Sequence, residues 1–490
     1  MESVWSASVL FEERPALDGD ISAEVAVIGG GLAGILTAYK LKERGFGVVV
    51  LEGDRIGSGQ TKNTTAKLTA QHDLIYDRLI IDFGVRRARQ YAEANMNAIS
   101  EYRRVIAQNK IDCDLTDCSA YLYTTKDTRP LERELEAARR LGFFAELTDK
   151  TELPFSVKAA LKFDGQAEFN PLKFMNAISE KLTIYEHTKV KKFDGDLIIT
   201  DCGTVKAKHV VFASHYPFVN IPGYYWVRMH QGRSYVLALE NAAQLKCTYL
   251  GIDDDALSFR NYGELTLLGG GGHRTGENKQ GGQYRKLRTC AKKFWPDSVE
   301  TRHWSAQDCM TPDGIPYIGR YSRSRPEWYI ATGFNKWGMT SSMVAAMLIS
   351  AKLAGDKFPC APVFSPQRQT TPPAAKSIGK NAMKAAKGLA MDVFDSPRDN
   401  IKDLPAGHGG VVEYGGVKYG VYKDDDGKSY IVDIKCPHMG CMLEWNPDER
   451  SWDCPCHGSR FDVHGRLIDN PAQEDVNVRI ESSEEMNRTT

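Results

Sequence analysis

Apolar residues along this chain change their spacing several times, and each change marks a different kind of structure. Residues 24–28 (EVAVI) are a short apolar run, the pattern of a buried parallel strand. A helical stretch follows over 35–44, closed by Gly45, and a second apolar strand over 48–51. From 72 to 108 apolar residues such as Leu79, Ile80, Ala92, Met96, Ile99 and Tyr102 recur mostly every three or four positions, which predicts helix. Residues 131–141 (LERELEAARRL) predict an amphipathic helix, and Phe169-Asn170-Pro171 opens another to about 181. Strand-like runs lie around Val190, at 197–199 and at 209–213. Between Trp226 and Trp304 the pattern turns to antiparallel strands, at 233–239, 256–261 and 264–268. A strand over 328–332 and a helix to about 354 end this part. Residues 362–373 (PVFSPQRQTTPP) read as a linker, and Lys376, Lys380, Lys384 and Lys387 mark one face of a basic connecting helix. Beyond Leu404, short strand signals at 410–413, 418–422 and 429–434 alternate with Gly and Asp turns. An all-β module of that size commonly needs a metal or disulfide to supplement its core.

Composition narrows the function classes. A chain of 490 residues exceeds one core, so two or three domains are expected. Lys+Arg and Asp+Glu are both 63, so no overall field favours nucleic acid or an anionic membrane. No apolar run reaches the ~20 residues of a transmembrane span, and the first residues lack the pattern of an export signal. A cytoplasmic location is therefore expected, where most of the 11 cysteines would be thiols or metal ligands. Cys113, Cys118, Cys202, Cys247, Cys290, Cys309 and Cys360 show no metal-type clustering.

Between the first two strands stands Gly29-Gly30-Gly31-Leu32-Ala33-Gly34, and the second strand ends in Glu52. In a strand–helix–strand unit this spacing binds a dinucleotide. Gly29 makes the tight turn, Gly31 admits the pyrophosphate to backbone N–H groups, Gly34 allows close packing, and Glu52 accepts from a ribose diol. The small and hydroxyl residues of 55–67, including Thr61, Thr65 and Ala66, suit a loop around a phosphate or planar ring.

The fingerprint, this loop and the segment 311–340 together resemble the D-amino-acid oxidase superfamily of FAD enzymes, which includes glycine and sarcosine oxidases. The resemblance covers about 22–356 and implies an α/β Rossmann-type FAD domain interleaved with an α+β substrate domain. It adds Val190, Asp313, Gly333, Gly338, Met339 and Thr340 to the expected cofactor contacts, with the helix after Gly338 aimed at the flavin. On the sheet expected to roof the flavin, His230, Arg233, Arg260, His273 and Arg274 are candidates for the pocket, since arginine grips a carboxylate bidentately. The run Gly269-Gly270-Gly271-Gly272-His273 reads as a hairpin loop, so a second dinucleotide domain is lacking. Cys309 is offset from the position at which some relatives attach FAD, which favours non-covalent FAD.

The tail holds the sharpest chemistry. Residues 436–441 read CPHMGC and 454–459 read CPCHGS. Each loop offers one Cys and one His: Cys436 with His438, Cys454 with His457. Both loops resemble those of Rieske 2Fe-2S proteins. Tetrahedral zinc also takes two Cys and two His, but zinc fingers tend to group like with like. One Cys and one His per loop instead lets two cysteines hold one iron and two histidines the other. By resemblance to the Rieske proteins of cytochrome bc complexes, Cys441 and Cys456 form a disulfide and Ser459 hydrogen-bonds a cluster sulfur. A tyrosine usual in those proteins is Phe461 here, so the potential is expected below the top of the Rieske range, roughly −150 to +300 mV.

The expected whole is an FAD- and 2Fe-2S-dependent oxidoreductase in three parts. Residues 1–360 form the flavoprotein, with FAD parts at about 22–75, 150–220 and 305–358 and substrate parts at about 76–149 and 221–304. A linker spans 361–400 and a small all-β Rieske domain 401–490. The substrate is expected to be a small amine or amino acid, and the partner an external electron acceptor, protein or quinone. The alternative is an electron-transfer flavo-iron–sulfur protein feeding a partner enzyme.

Overall fold

The computed structural model describes residues 2–394, 404–414 and 416–477. Parts of the expected linker (395–400) and of the small module (401–403 and 478–490) lie outside the described residues, as do the side chains of Lys387 and its neighbours over 385–394.

The strand Ile21–Ile28 pairs in parallel with Val48–Leu51 on one side and Thr204–Phe212 on the other. Thr183–Tyr185 and Trp328–Thr332 extend the same parallel sheet. Buried Val, Ile and Ala fill it, as a sheet covered on both faces requires. The helices Leu32–Glu43 and Gly338–Leu353 pack against each other on one face. Small buried residues, Ala33, Gly34 and Ala38 on the first and Ser341, Ser342, Ala345 and Ala346 on the second, let them approach closely.

A second, nine-stranded sheet carries Val299–Met310, His230–Glu240, Leu265–Arg274, Ser258–Tyr262, Thr248–Gly251, Thr116–Thr124, Ala159–Glu168 and Lys67–Leu68 in that order, with Glu146–Thr148 beside Ala159–Glu168. The four-glycine run is therefore strand, not a hairpin loop. Its glycines present no side chain where space is short: a Cβ on Gly269 would lie 2.5 Å from Ser258 Oγ, and one on Gly270 2.9 Å from Leu257. The pattern at 72–108 likewise resolves into Tyr76–Asn109 broken at Gly84, whose φ of +80° interrupts the helix.

Residues 361–394 are more ordered than a linker. Ala361–Phe364 and Pro372–Phe394 are helices, and the second passes beside Tyr225–Arg228. The tail module is two small antiparallel sheets, His408–Tyr414 with Val417–Lys423 and Ser429–Asp433, and Glu444–Asn446 with Ser451–Asp453, Arg460–Phe461 and Leu467–Asp469. Its core joins Trp445, Trp452, Phe461 and Leu443 to Cys436, Cys441, Cys454 and Cys456. The first residues, unread by any periodicity, are held down by Trp5. Its buried ring donates Nε1–H to the Thr64 carbonyl at 2.7 Å and packs against Tyr262.

Candidate functional site

The first strand turns into the Leu32–Glu43 helix over Gly29, whose φ is +108° and whose absent Cβ would lie 2.6 Å from the Ala213 carbonyl oxygen. Gly34 is tighter still, with a Cβ position 1.9 Å from the Gly29 carbonyl oxygen. Gly31 caps the helix with no side-chain bond of its own and no acid in the first turn; Thr61 Oγ1 accepts from Leu32 N–H at 3.0 Å, and the positive end of the dipole carries no countercharge. Glu52 is tied to the same turn, accepting from Gly30 N–H at 2.5 Å and Asp54 N–H at 2.8 Å. Burial raises its pKa against the pull of those two N–H groups.

These elements open on one cavity of about 1070 Å³. Gly29, Gly31, Glu52, Thr61, Thr65, Val190, Gly333, Gly338 and Met339 all line it, as does Cys309. A helix N-terminus without an acidic residue, a cradle that a Cβ would fill and a cavity of that volume fit a dinucleotide such as FAD. Four expected contacts stand behind the wall instead. Gly34 packs on Gly29. Ala66 is fully buried, its carbonyl held by Arg260. Asp313 pairs with Arg368 at 2.7 Å; burial raises its pKa, but the guanidinium outweighs it and holds the carboxyl low. Thr340 bonds His72 Nε2 at 3.0 Å.

His72 had no signal in the sequence beyond its helix-like spacing. It lines the cavity, takes Tyr91 Oη on Nδ1 at 2.6 Å and stacks on Trp337 at 4.8 Å between centroids. Burial pulls its pKa down to about 3. The unfolded chain therefore binds one more proton here between pH 6.5 and about 3, so stability falls as pH drops through that window. The expected loss from this group is ~1.4 kcal/mol per pH unit. Urea midpoints measured from pH 6.5 to 4.5 check it: His72→Asn should flatten the slope, and an unchanged slope refutes it.

None of the five charged candidates on the sheet lines the cavity. Arg233, 1 % exposed, turns to the tail module and pairs with Glu449. Arg274 donates to the carbonyls of Pro455 and Cys456, at 3.3 and 3.1 Å. Arg260 holds the carbonyls of Thr65 and Ala66 and the Glu168 carboxylate. His273 bonds Tyr235 Oη and the Arg274 carbonyl, and His230 is mostly enclosed, its Nδ1 without a partner. These side chains are taken up by the tail module and by neighbouring backbone rather than by the cavity, partners that the sequence pattern left open.

The two tail loops are built alike. Cys436 N–H bonds the Cys441 carbonyl and Gly440 N–H the Cys436 carbonyl; Cys454 N–H bonds the Ser459 carbonyl and Gly458 N–H the Cys454 carbonyl. The repeat brings Cys436, His438, Cys454 and His457 together, with the imidazole centroids 4.8 Å apart. Cys441 and Cys456 are joined by a disulfide. The sulfurs of Cys441, Cys454 and Cys456 also converge within 4.8 Å, but two of these are locked in the bridge and offer no thiolate. Both His Nδ1 atoms, and His457 Nε2, are buried with no hydrogen-bond partner. Orphaned buried nitrogens on two adjacent imidazoles, in loops that also bring two buried thiols into contact, fit a metal centre rather than a structural hydrogen-bond network. Cys454 hydrogen-bonds Cys436 and brings its pKa down to about 7, aided by Ser459.

The cluster loops dock on the flavoprotein sheet. Gln231 Nε2 donates to the carbonyls of His457 and Asn470, at 2.8 and 2.9 Å. Gln307, a cavity-wall residue, donates to Gly458 O and Gln231 Oε1, both at 2.8 Å. A Cβ on Gly458 would strike Gln231 at 2.7 Å. His438 Nε2 bonds Asn220 Oδ1 at 3.0 Å, and Trp226 meets the His457 ring edge-on. Asp469, Asn470 and Gln473 close the end of the same cavity.

Residues 24–352 match the family described as FAD dependent oxidoreductase, and 397–479 the Rieske [2Fe-2S] domain. The chain is 38% identical, over 96% of its length and 96% of the relative's, to YhfW of Bacillus subtilis, named as a Rieske 2Fe-2S iron-sulfur protein. It is 25% identical to the γ-glutamylputrescine oxidoreductase of Escherichia coli, over 69% of this chain and 85% of that one. Glycine oxidase from Geobacillus kaustophilus superposes with a TM-score of 0.61 at 19% identity, over 71% of this chain and 99% of that one.

Proposed function

The chain belongs to the FAD dependent oxidoreductase family and carries a Rieske [2Fe-2S] domain, and on that premise we propose that it is a dehydrogenase of amines or amino acids whose electrons leave through the iron–sulfur domain to an external protein or quinone. FAD supplies a two-electron hydride acceptor, and the cluster a carrier of one electron at a time. In this reading the Gly29–Gly31 turn and the helix N-terminus hold the pyrophosphate, with Glu52 on the ribose and Val190 beside the adenine. Cys436 and Cys454 hold one iron, His438 and His457 the other. Residues 1–360 act as the flavoprotein and 401–490 as the Rieske domain. His72, neutral throughout the working pH range, braces Trp337 at the cavity wall from the Thr340 hydroxyl behind it, without bringing in a charge. The nine-stranded sheet and residues 467–475 supply part of the cavity wall.

The observation that carries this reading is the shared cavity. Residues of both modules line it, and Gln307 reaches from its wall to the loop of the ligand His457. A relative named for γ-glutamylputrescine supports an amine-type substrate. Anaerobic spectroscopy tests the proposal. Amines and amino acids are added to purified protein, and flavin bleaching followed by a Rieske EPR signal is the expected result. Flavin that only NAD(P)H reduces would sink the dehydrogenase, and protein lacking two irons and two acid-labile sulfides would sink the outlet.

A further inference from the structure

Resting on that reading, we propose that Lys67 is the anchor for a substrate carboxylate, which makes the substrates amino acids rather than simple amines. Lys67 sits on the two-residue strand Lys67–Leu68 at the edge of the nine-stranded sheet, directly after the Thr65–Ala66 backbone that lines and supports the cavity. It lines the cavity itself. An ammonium has three N–H donors, yet Nζ has one acceptor among the described residues, the Tyr249 carbonyl at 3.4 Å, the long limit of a hydrogen bond.

The charges around Lys67 leave it short of a counter-ion. Glu168 is opposite it across the strand pair but is engaged by Arg260, at 3.2 Å. Arg260 stands close enough to repel it, and Cys118 is the other titratable neighbour. Of the other cavity cations, Arg55 lies 3.6 Å from Glu186 and Lys189 donates to the Gln473 carbonyl at 2.6 Å, while Lys336 and Arg78 act on Asp73, and Lys336 on Asp308, through space. Every arginine that the sequence offered for a carboxylate is spent elsewhere. Lys67, with its facing carboxylate engaged by Arg260 and its own nearest acceptor at 3.4 Å, is thus a cavity cation that an incoming anion would complete. Burial, with Arg260, pulls its pKa down to about 7. A bound carboxylate stabilises the charged form, so binding takes up a proton and weakens once the free lysine is neutral.

Sodium propionate is the probe, a carboxylate with no amine to oxidise. It is titrated against the FAD- and cluster-loaded protein from pH 6 to 9, with the flavin absorption spectrum as readout. Wild type should bind it saturably, with an apparent Kd flat below pH 7 and rising up to tenfold per pH unit above it. Lys67→Met should weaken binding at least tenfold at pH 6 and abolish the pH dependence. Lys67→Arg should retain binding and keep it above pH 7, which a merely structural lysine would not produce. Equal binding by wild type and Lys67→Met, or no saturable binding by wild type, overturns the proposal. Binding through Lys67 in a protein whose flavin no amine or amino acid reduces upholds the anchor and overturns the dehydrogenase alone.

Discussion

Replacing Glu449 with alanine is expected to cost about 3–5 kcal/mol and to release the tail module from the flavoprotein sheet. Glu449 is 3% exposed and sits between two buried arginines, Arg233 on the sheet and Arg460 in the tail. It also takes the Ser305 hydroxyl. Arg460 has other acids, Asp453 at 3.0 Å and Asp469 at 2.9 Å. Arg233 has none nearer than Asp469 at 3.8 Å, and its Nε already lacks a partner. Removing the carboxylate therefore strands a guanidinium that is 1% exposed, and an uncompensated buried charge is far dearer than the net worth of the pair. Arg233→Met with Glu449→Leu removes both charges and should recover most of the loss. Differential scanning calorimetry reads the result: one transition in wild type, a separate lower one in Glu449→Ala, and near-restoration in the double variant. A single unshifted transition in Glu449→Ala would show that the network does not hold the modules together.

What was legible in the sequence follows what chemistry fixes locally. Cys436, His438, Cys454 and His457 converge because two loops with the same residue types close by the same backbone bonds. The Gly29–Gly34 turn and Glu52 were legible for the same reason, since glycine spacing dictates the backbone path directly. The docking surface was not. Gln231 and His457 are 226 residues apart, Arg233 and Glu449 216. Nothing local distinguishes that glutamine from a solvated one. The arginines show the boundary between the two cases. A charged residue on an apolar strand announces that it is buried with a partner, but the partner is decided by which strand face the pleat presents. Arg233 and Arg260 were marked by type and misassigned by neighbour. Lys67, in a loop dense with small and hydroxyl residues, was passed over although it faces the cavity. The four glycines from Gly269 read as a hairpin loop because no helix pattern and no acid-terminated strand follow them; here they thin the strand along the cavity wall.

Two Gly-to-Ala substitutions, each inside a helix, should change stability in opposite directions. Helix propensity alone predicts a gain of up to ~1 kcal/mol for both, since alanine loses less backbone entropy on folding. At Gly379, within Pro372–Phe394, an added Cβ meets nothing within 4 Å, so Gly379→Ala should be neutral or stabilising. At Gly34 the same methyl would sit 1.9 Å from the Gly29 carbonyl oxygen and 3.4 Å from Val27. The oxygen is backbone and cannot rotate away. The helix Leu32–Glu43 must move off the strand or Gly29 must leave its φ of +108°, and either shift displaces Gly31 and the Gly30–Glu52 bond. Both halves of the proposed dinucleotide site are lost together, pyrophosphate N–H groups and ribose acceptor. Gly34→Ala is therefore expected to purify with less than a tenth of the wild-type flavin and to melt well below wild type, whereas Gly379→Ala keeps its flavin. The iron and sulfide content of Gly34→Ala separates local from global failure. A retained cluster with lost flavin means that the tail module folds around its own ligands and that the damage is confined to the cradle. Flavin retained at the wild-type ratio would mean that the helix can slide without loosening its hold on the cofactor, and the tight Gly34 approach would then serve packing alone.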